Sequence, residues 1–208
     1  MKTAALGFRV HSGWTALIAV AVEKGKPIVL TRQRPHLVET FSYTFRQPYH
    51  TAEKMSLDEA QEFLDRQRNV TRRLAVEALK STQSDLAQQG YQVTHAALLT
   101  ASGRPLPELK KILAAHSLIH TADGEFFRDA IAHGCRRQKL ALTAVKEREL
   151  TPAACLKLRR SPEALTRFLT KLGKPLGAPW TQDEKFATLA AWLALSTSNQ
   201  RSGGSGRR

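Results

Sequence analysis

Residues 15–22 read TALIAVAV, a run of strand length with no charged position. Apolar runs this short and rich in Ala, Val and Ile predict a β-strand buried on both faces. The polar stretch EKGK at 23–26 supplies a turn containing Gly25, and residues 27–34 form the return strand, ended by Pro35. Residues 5–40 therefore predict an antiparallel hairpin or meander. Phe41, Tyr43 and Phe45 alternate with polar residues, which extends the expectation to a third strand over 41–49.

The period then changes. Ser56 and Glu59 have the spacing of a capping box, in which each side chain satisfies a backbone N–H at a helix start. Apolar positions 57, 60, 63, 64, 70, 74, 75, 78 and 79 follow helical spacing to about residue 87, and Gly90 is the stop. Residues 93–100 predict a second buried strand, ended by the turn at 102–105. Residues 106–116 predict a helix, and 121–133 another with Gly134 as its C-cap. A strand is expected over 140–145. Helical segments follow over 150–172, broken near Ser161 and Pro162, and a last helix over 183–195. The expectation is one α/β domain over 1–198 and a flexible basic tail over 199–208.

Antiparallel strands followed by alternating helices and strands predict a mixed sheet with helices on both faces. This order resembles the ribonuclease-H-like fold, which opens with an antiparallel meander, crosses by a helix and adds parallel strands. The resemblance implies two Mg²⁺ or Mn²⁺ ions held by carboxylates, the first ligand in the first strand and the second near the end of the strand after the meander. Residues 4–22 contain no Asp or Glu, and neither do residues 97–106. Only the helix opening at Asp183 and Glu184 resembles the acidic, Ala-rich closing helix of Holliday-junction-resolvase-type members. The layout is thus expected without a complete two-metal nuclease site.

Charge adds a partner class. Lys and Arg number 32 against 18 Asp and Glu, a net +14. Residues 1–50 carry seven basic and two acidic residues, 51–103 six and seven, 104–174 fifteen and seven, and 175–208 four and two. An excess split between two segments predicts a polyanionic partner, nucleic acid (RNA or DNA) or ribonucleoprotein, with an acidic protein as its competitor. Candidate phosphate contacts are Arg32, Arg34, Arg136, Arg137, Lys139, Lys157, Arg159 and Arg160. No apolar run is long enough to span a bilayer, no signal peptide pattern opens the chain, and Cys135 and Cys155 have no CxxC spacing. A cytoplasmic protein with reduced thiols and no membrane partner is expected.

Four segments, GFRVHSGW at 7–14, QPYH at 47–50, HTADGEFFRD at 120–129 and PWTQDEK at 179–185, together resemble an uncharacterised bacterial protein family. The resemblance implies that these segments meet at a common site. The atypical hydrolase site they would make consists of His11, His50, His120, Glu125 and Asp183. His116 and His120 are spaced i, i+4, and Asp123 or Glu125 would complete a metal set. Residues 121–124, however, read as a break between helices, and HExxH is not met, so a structural or surface role is expected and no metal, with a general-base role as the alternative. Glu125, Arg128 and Asp129 have the spacing of a helix-face ion-pair cluster, or of a polar pocket if they face the sheet edge near His11 and His50. No GxxxxGK[ST], no GxGxxG after a strand and no GxSxG is present, so no cofactor is expected. Nucleic-acid binding leads; a hydrolase and a protein-interaction module are the alternatives.

Overall fold

A computed structural model describes residues 1–101 and 105–202, with side chains described to residue 196. Five strands form one mixed sheet: β1 (Lys2–His11), β2 (Trp14–Glu23), β3 (Lys26–Gln33), β4 (Tyr91–Thr100) and β5 (Ala141–Lys146). Their order across the sheet is β3-β2-β1-β4-β5. The first three pair antiparallel, whereas β4 runs parallel to β1 and β5 parallel to β4. The mixed sheet and its opening meander are as expected.

The near-continuous apolar strands are buried on both sides because helices cover both. The helices are α1 (Tyr43–Arg46), α2 (Pro48–Ala52), α3 (Leu57–Gln88), α4 (Leu109–Leu113), α5 (His116–Arg137), α6 (Glu147–Leu158), α7 (Pro162–Gly173) and α8 (Gln182–Ser202). Leu6 and Phe8 of β1, Leu17 of β2 and Leu98 of β4 pack towards α3 and α5. Ala5, Ile18, Val20 and Leu99 face the opposite way, towards α6, α7 and α8. Each fully buried Leu, Ile or Phe of this set contributes about 1.5–3 kcal/mol of transfer free energy. Gly7 is the closest approach: a Cβ there would collide with the Ala187 carbonyl oxygen and lie 3.1 Å from the Ala191 Cβ. That glycine lets α8 lie directly on β1.

The Ser56 capping box forms, with Ser56 accepting from the Glu59 N–H and Glu59 accepting from the Ser56 N–H at 3.0 Å. Four expectations are corrected. Residues 41–49 are not a strand: Pro48 occupies the first position of α2, where a missing N–H costs nothing, and Phe41 and Tyr43 are exposed. Their alternation marks no buried face. The helix over 106–116 shrinks to α4, since Pro107 disfavours helical backbone at Leu106. The helix expected from 121 starts instead at His116 and runs unbroken through 121–124. Gly134 lies inside it, packed against Ala75 and Leu79 of α3. Finally, α8 continues to Ser202, into the segment read as tail, and residues 203–208 lie outside the described residues. Among the described residues no helix is long and apolar enough to cross a membrane.

Candidate functional site

Parallel pairing of β1, β4 and β5 directs their carboxyl ends to one edge of the sheet. At that edge β1 presents alternate residues Arg9 and His11 on the face that α8 covers. Glu147 begins α6 immediately after β5, and Asp183 and Glu184 lie in the first turn of α8. Acidic side chains are favoured there by the helix dipole. Topology thus brings the start of the chain to its end.

Arg9 occupies the centre. Its Nε and Nη2 donate to the two Glu147 carboxylate oxygens at 3.0 and 2.7 Å, a two-pronged contact, and its Nη1 donates to Asp183 Oδ1. Glu147 first, opposed by burial and then joined by Asp183, drives the Arg9 pKa still higher. His11 Nε2 lies 2.9 Å from the same Asp183 oxygen, and its ring stacks on Trp14 with centroids 4.4 Å apart. Burial raises the Asp183 carboxyl, but Arg9 and His11 outweigh it and hold the group below the usual carboxylate range.

Glu184 joins this cluster only through Arg34, which also lies 4.0 Å from Asp183 Oδ2. The Glu184 side chain is fully buried and accepts from the Thr181 N–H and hydroxyl at 2.8 and 2.7 Å and from Arg34 at 2.5 Å. Burial raises its pKa, and the bonds from Thr181 and Arg34 more than reverse that. Thr181 in turn accepts from the Asp183 N–H at 3.3 Å, so the two side chains cap the start of α8, with a spacing already visible in the sequence. Arg34 also lies over the Trp14 ring, 4.8 Å from its centroid.

A second polar group occupies the same end of the fold, on the other face. Helix α5 connects two parallel strands, so its first turn lies near the edge where β4 ends. His116 and His120 stand on that turn with their Nε2 atoms 3.0 Å apart. His50 of α2 meets them, its ring centroid 5.3 Å from His116 and 4.5 Å from His120. Asp123, one helical turn further along α5, is buried. Its Oδ2 lies 2.5 Å from His50 Nδ1, and its Oδ1 accepts from the Tyr49 N–H at 2.7 Å. Burial pushes the Asp123 carboxyl up against the lowering effect of His50 and Tyr49.

The five expected hydrolase residues therefore fall into separate contacts. His11 meets Asp183, His50 meets His120, and Glu125 pairs with Arg128 at 2.9 Å. Asp129 reaches across to Arg72 of α3 at 2.7 Å rather than joining a helix-face cluster with Glu125 and Arg128. Among the described residues no hydrogen bond or ion pair joins the His11 group to the His50 group. Sequence reasoning missed Arg9 and Glu147, whose roles depend on a contact between residues 138 positions apart. It also missed that Asp123 orients His50 instead of completing a ligand set.

Of the expected phosphate contacts, Arg32 is engaged internally, donating to the carbonyls of Leu176, Gly177, Ala178 and Pro179. Arg34 is held by Glu184. Arg136, Arg137 and Lys139 are exposed between α5 and β5, with Arg136 3.9 Å from Asp129. Lys157, Arg159 and Arg160 gather where α6 ends, Arg159 exposed in a left-handed C-cap and Arg160 over the Phe168 ring.

No protein-family model and no curated protein matches the sequence. Solved structures do match. The chain is similar to T. thermophilus RuvC in complex with Holliday junction substrate, with a TM-score of 0.55 and 11% identity over 95% of this chain and 96% of that one. It is similar also to the Thermus thermophilus RuvC structure, with a TM-score of 0.54 and 11% identity over the same shares. At that identity the likeness is one of fold, and the chain carries the ribonuclease-H-like architecture of these structures.

Proposed function

We propose that this chain is a cytoplasmic nucleic-acid-binding protein that uses a ribonuclease-H-like scaffold without two-metal cleavage. One observation carries the proposal: a guanidinium, that of Arg9, stands between Glu147 and Asp183 at the carboxyl edge of the sheet. Two hard cations at such an edge need several carboxylate oxygens converging on each ion. Here the two nearest carboxylates are neutralised by Arg9, Glu184 is turned into a helix cap, and the strand supplying Arg9 offers no acid. These residues do not fit a two-metal centre.

Binding is supported by the net charge of +14 and by the exposed Arg136, Arg137, Lys139 and Arg159. It is supported too by the structural neighbour, RuvC, seen with a Holliday junction substrate. With few exposed aromatic side chains for stacking, contact is to phosphates rather than to bases. Fluorescence anisotropy with a labelled four-way junction, duplex DNA and single-stranded RNA tests the proposal. About three phosphate contacts would weaken binding roughly 40-fold between about 50 and 200 mM salt. Affinity that is indifferent to salt overturns it.

A further inference from the structure

We propose that His50, His116 and His120 form a binding site for one borderline divalent transition ion, of the zinc class, with Asp123 as the group that orients His50. One ligand atom from each of the three imidazoles lies within 4.8 Å of the others. Tetrahedral zinc sites place neighbouring nitrogens about 3.3 Å apart at bond lengths of about 2.0–2.1 Å. The 3.0 Å between the His116 and His120 Nε2 atoms is already close to that spacing. Small rotations of two side chains on one helical turn complete it.

The tautomer of His50 is set from behind. Donation from its Nδ1–H to Asp123 Oδ2 leaves Nε2 as the nitrogen available to an ion, in a ring that packs edge-on against the other two. A carboxylate behind a ligating histidine fixes ring orientation and raises ligand basicity, and Asp123 is itself fixed by the Tyr49 N–H. This arrangement ties the start of α2 to α5 and fixes the His50 ring at the same time. It suits a site that must present a lone pair.

Three imidazoles also decide the class of ion. They favour zinc, nickel, copper or cobalt over magnesium or calcium, which take oxygen ligands. No cysteine takes part: Cys135 is buried in the core between α3 and α5, and Cys155 lies on α6 across the sheet. With His116 and His120 exposed, a fourth position opens to solvent and accepts water or an anionic ligand. The site is independent of Arg9 and of the nucleic-acid reading.

Titration of tag-free, chelator-treated protein with Zn²⁺ by calorimetry, and with Co²⁺ by visible absorption, tests the site. One ion per chain and the strong visible bands of tetrahedral cobalt are expected, with no response to Mg²⁺. His116→Ala and His120→Ala lie at exposed positions, so they keep the fold, and each should lose affinity by about 100-fold or more. Asp123→Asn should lose about 10- to 100-fold. Cys135→Ser and Cys155→Ser should bind as the parent does. No binding, or zinc affinity unchanged in both His116→Ala and His120→Ala, overturns the proposal. An Asp123→Asn variant that stays folded and binds zinc as tightly as the parent overturns the orienting role.

Discussion

Arg9 meets Glu147 through two parallel hydrogen bonds of 3.0 and 2.7 Å, across the edge where the parallel strands end. The pair is partly solvent-screened, since the Arg9 and Glu147 side chains are 20% and 38% exposed. Arg9→Ala leaves Glu147 and Asp183 without their common counter-ion and is expected to cost about 2 kcal/mol of stability. Arg9→Asp adds a third carboxylate and costs more, but it creates the oxygen-rich cluster that hard cations require. Thermal unfolding should show the Arg9→Asp protein regaining stability with Mg²⁺ or Ca²⁺ while the parent does not. A variant insensitive to both ions would mean that the three carboxylates do not converge.

Gly7 sets the separation of sheet and helix. Its missing Cβ leaves room for the Ala187 carbonyl and the Ala191 methyl of α8, both fixed by the helix. Gly7→Ala is expected to destabilise the fold by about 3 kcal/mol or more, because backbone cannot step aside as a flexible side chain can. Urea denaturation measures this directly, and a loss below about 1 kcal/mol would mean that α8 sits further from β1.

Acid should attack the α8 end of the fold. Asp183 and Glu184 both have folded pKa values below their ordinary ones. A depressed carboxylate contributes stability that is complete above its unfolded pKa and is lost as pH falls through the folded value. The contribution is therefore full at neutral pH and falls away below about pH 4. Glu184→Gln removes part of it and should flatten the acid limb of the stability curve. Melting temperatures between neutral and acid pH test this; an unchanged acid limb in Glu184→Gln would contradict it.

The two thiols should react differently. Cys135 is fully buried, and desolvation pushes its pKa up to about 12, so the reactive thiolate is scarce at neutral pH. Cys155 is partly exposed on α6. Native protein should consume one equivalent of a thiol reagent rapidly and the second only on unfolding, with Cys155→Ser abolishing the fast phase. Two fast equivalents would contradict the buried placement of Cys135.

What the sequence made legible follows from distance along the chain. Strands β2 and β4 were readable because burial on both faces leaves a continuous apolar run, and α3 because its cap and its period lie within a few residues of one another. The aromatic alternation at 41–45 misled because Phe41 and Tyr43 face solvent, where period carries no meaning. Ending one helix at 116 and starting the next at 121 kept His116 and His120 off a common helix, and with it hid the approach of His50. Contacts such as Arg9 with Asp183, 174 positions apart, exist only once the sheet brings the ends of the chain together. The absence of acids from β1 was visible in the sequence; the guanidinium standing between two distant carboxylates was not.

Labelled four-way junction DNA and single-stranded RNA, incubated with saturating protein and Mg²⁺ and then resolved on a denaturing gel, test the central claim most directly. The prediction is full-length strands recovered from a complex that forms at low salt and dissociates as salt rises. Mg²⁺-dependent shortening of the strands, abolished by Asp183→Asn, would contradict it.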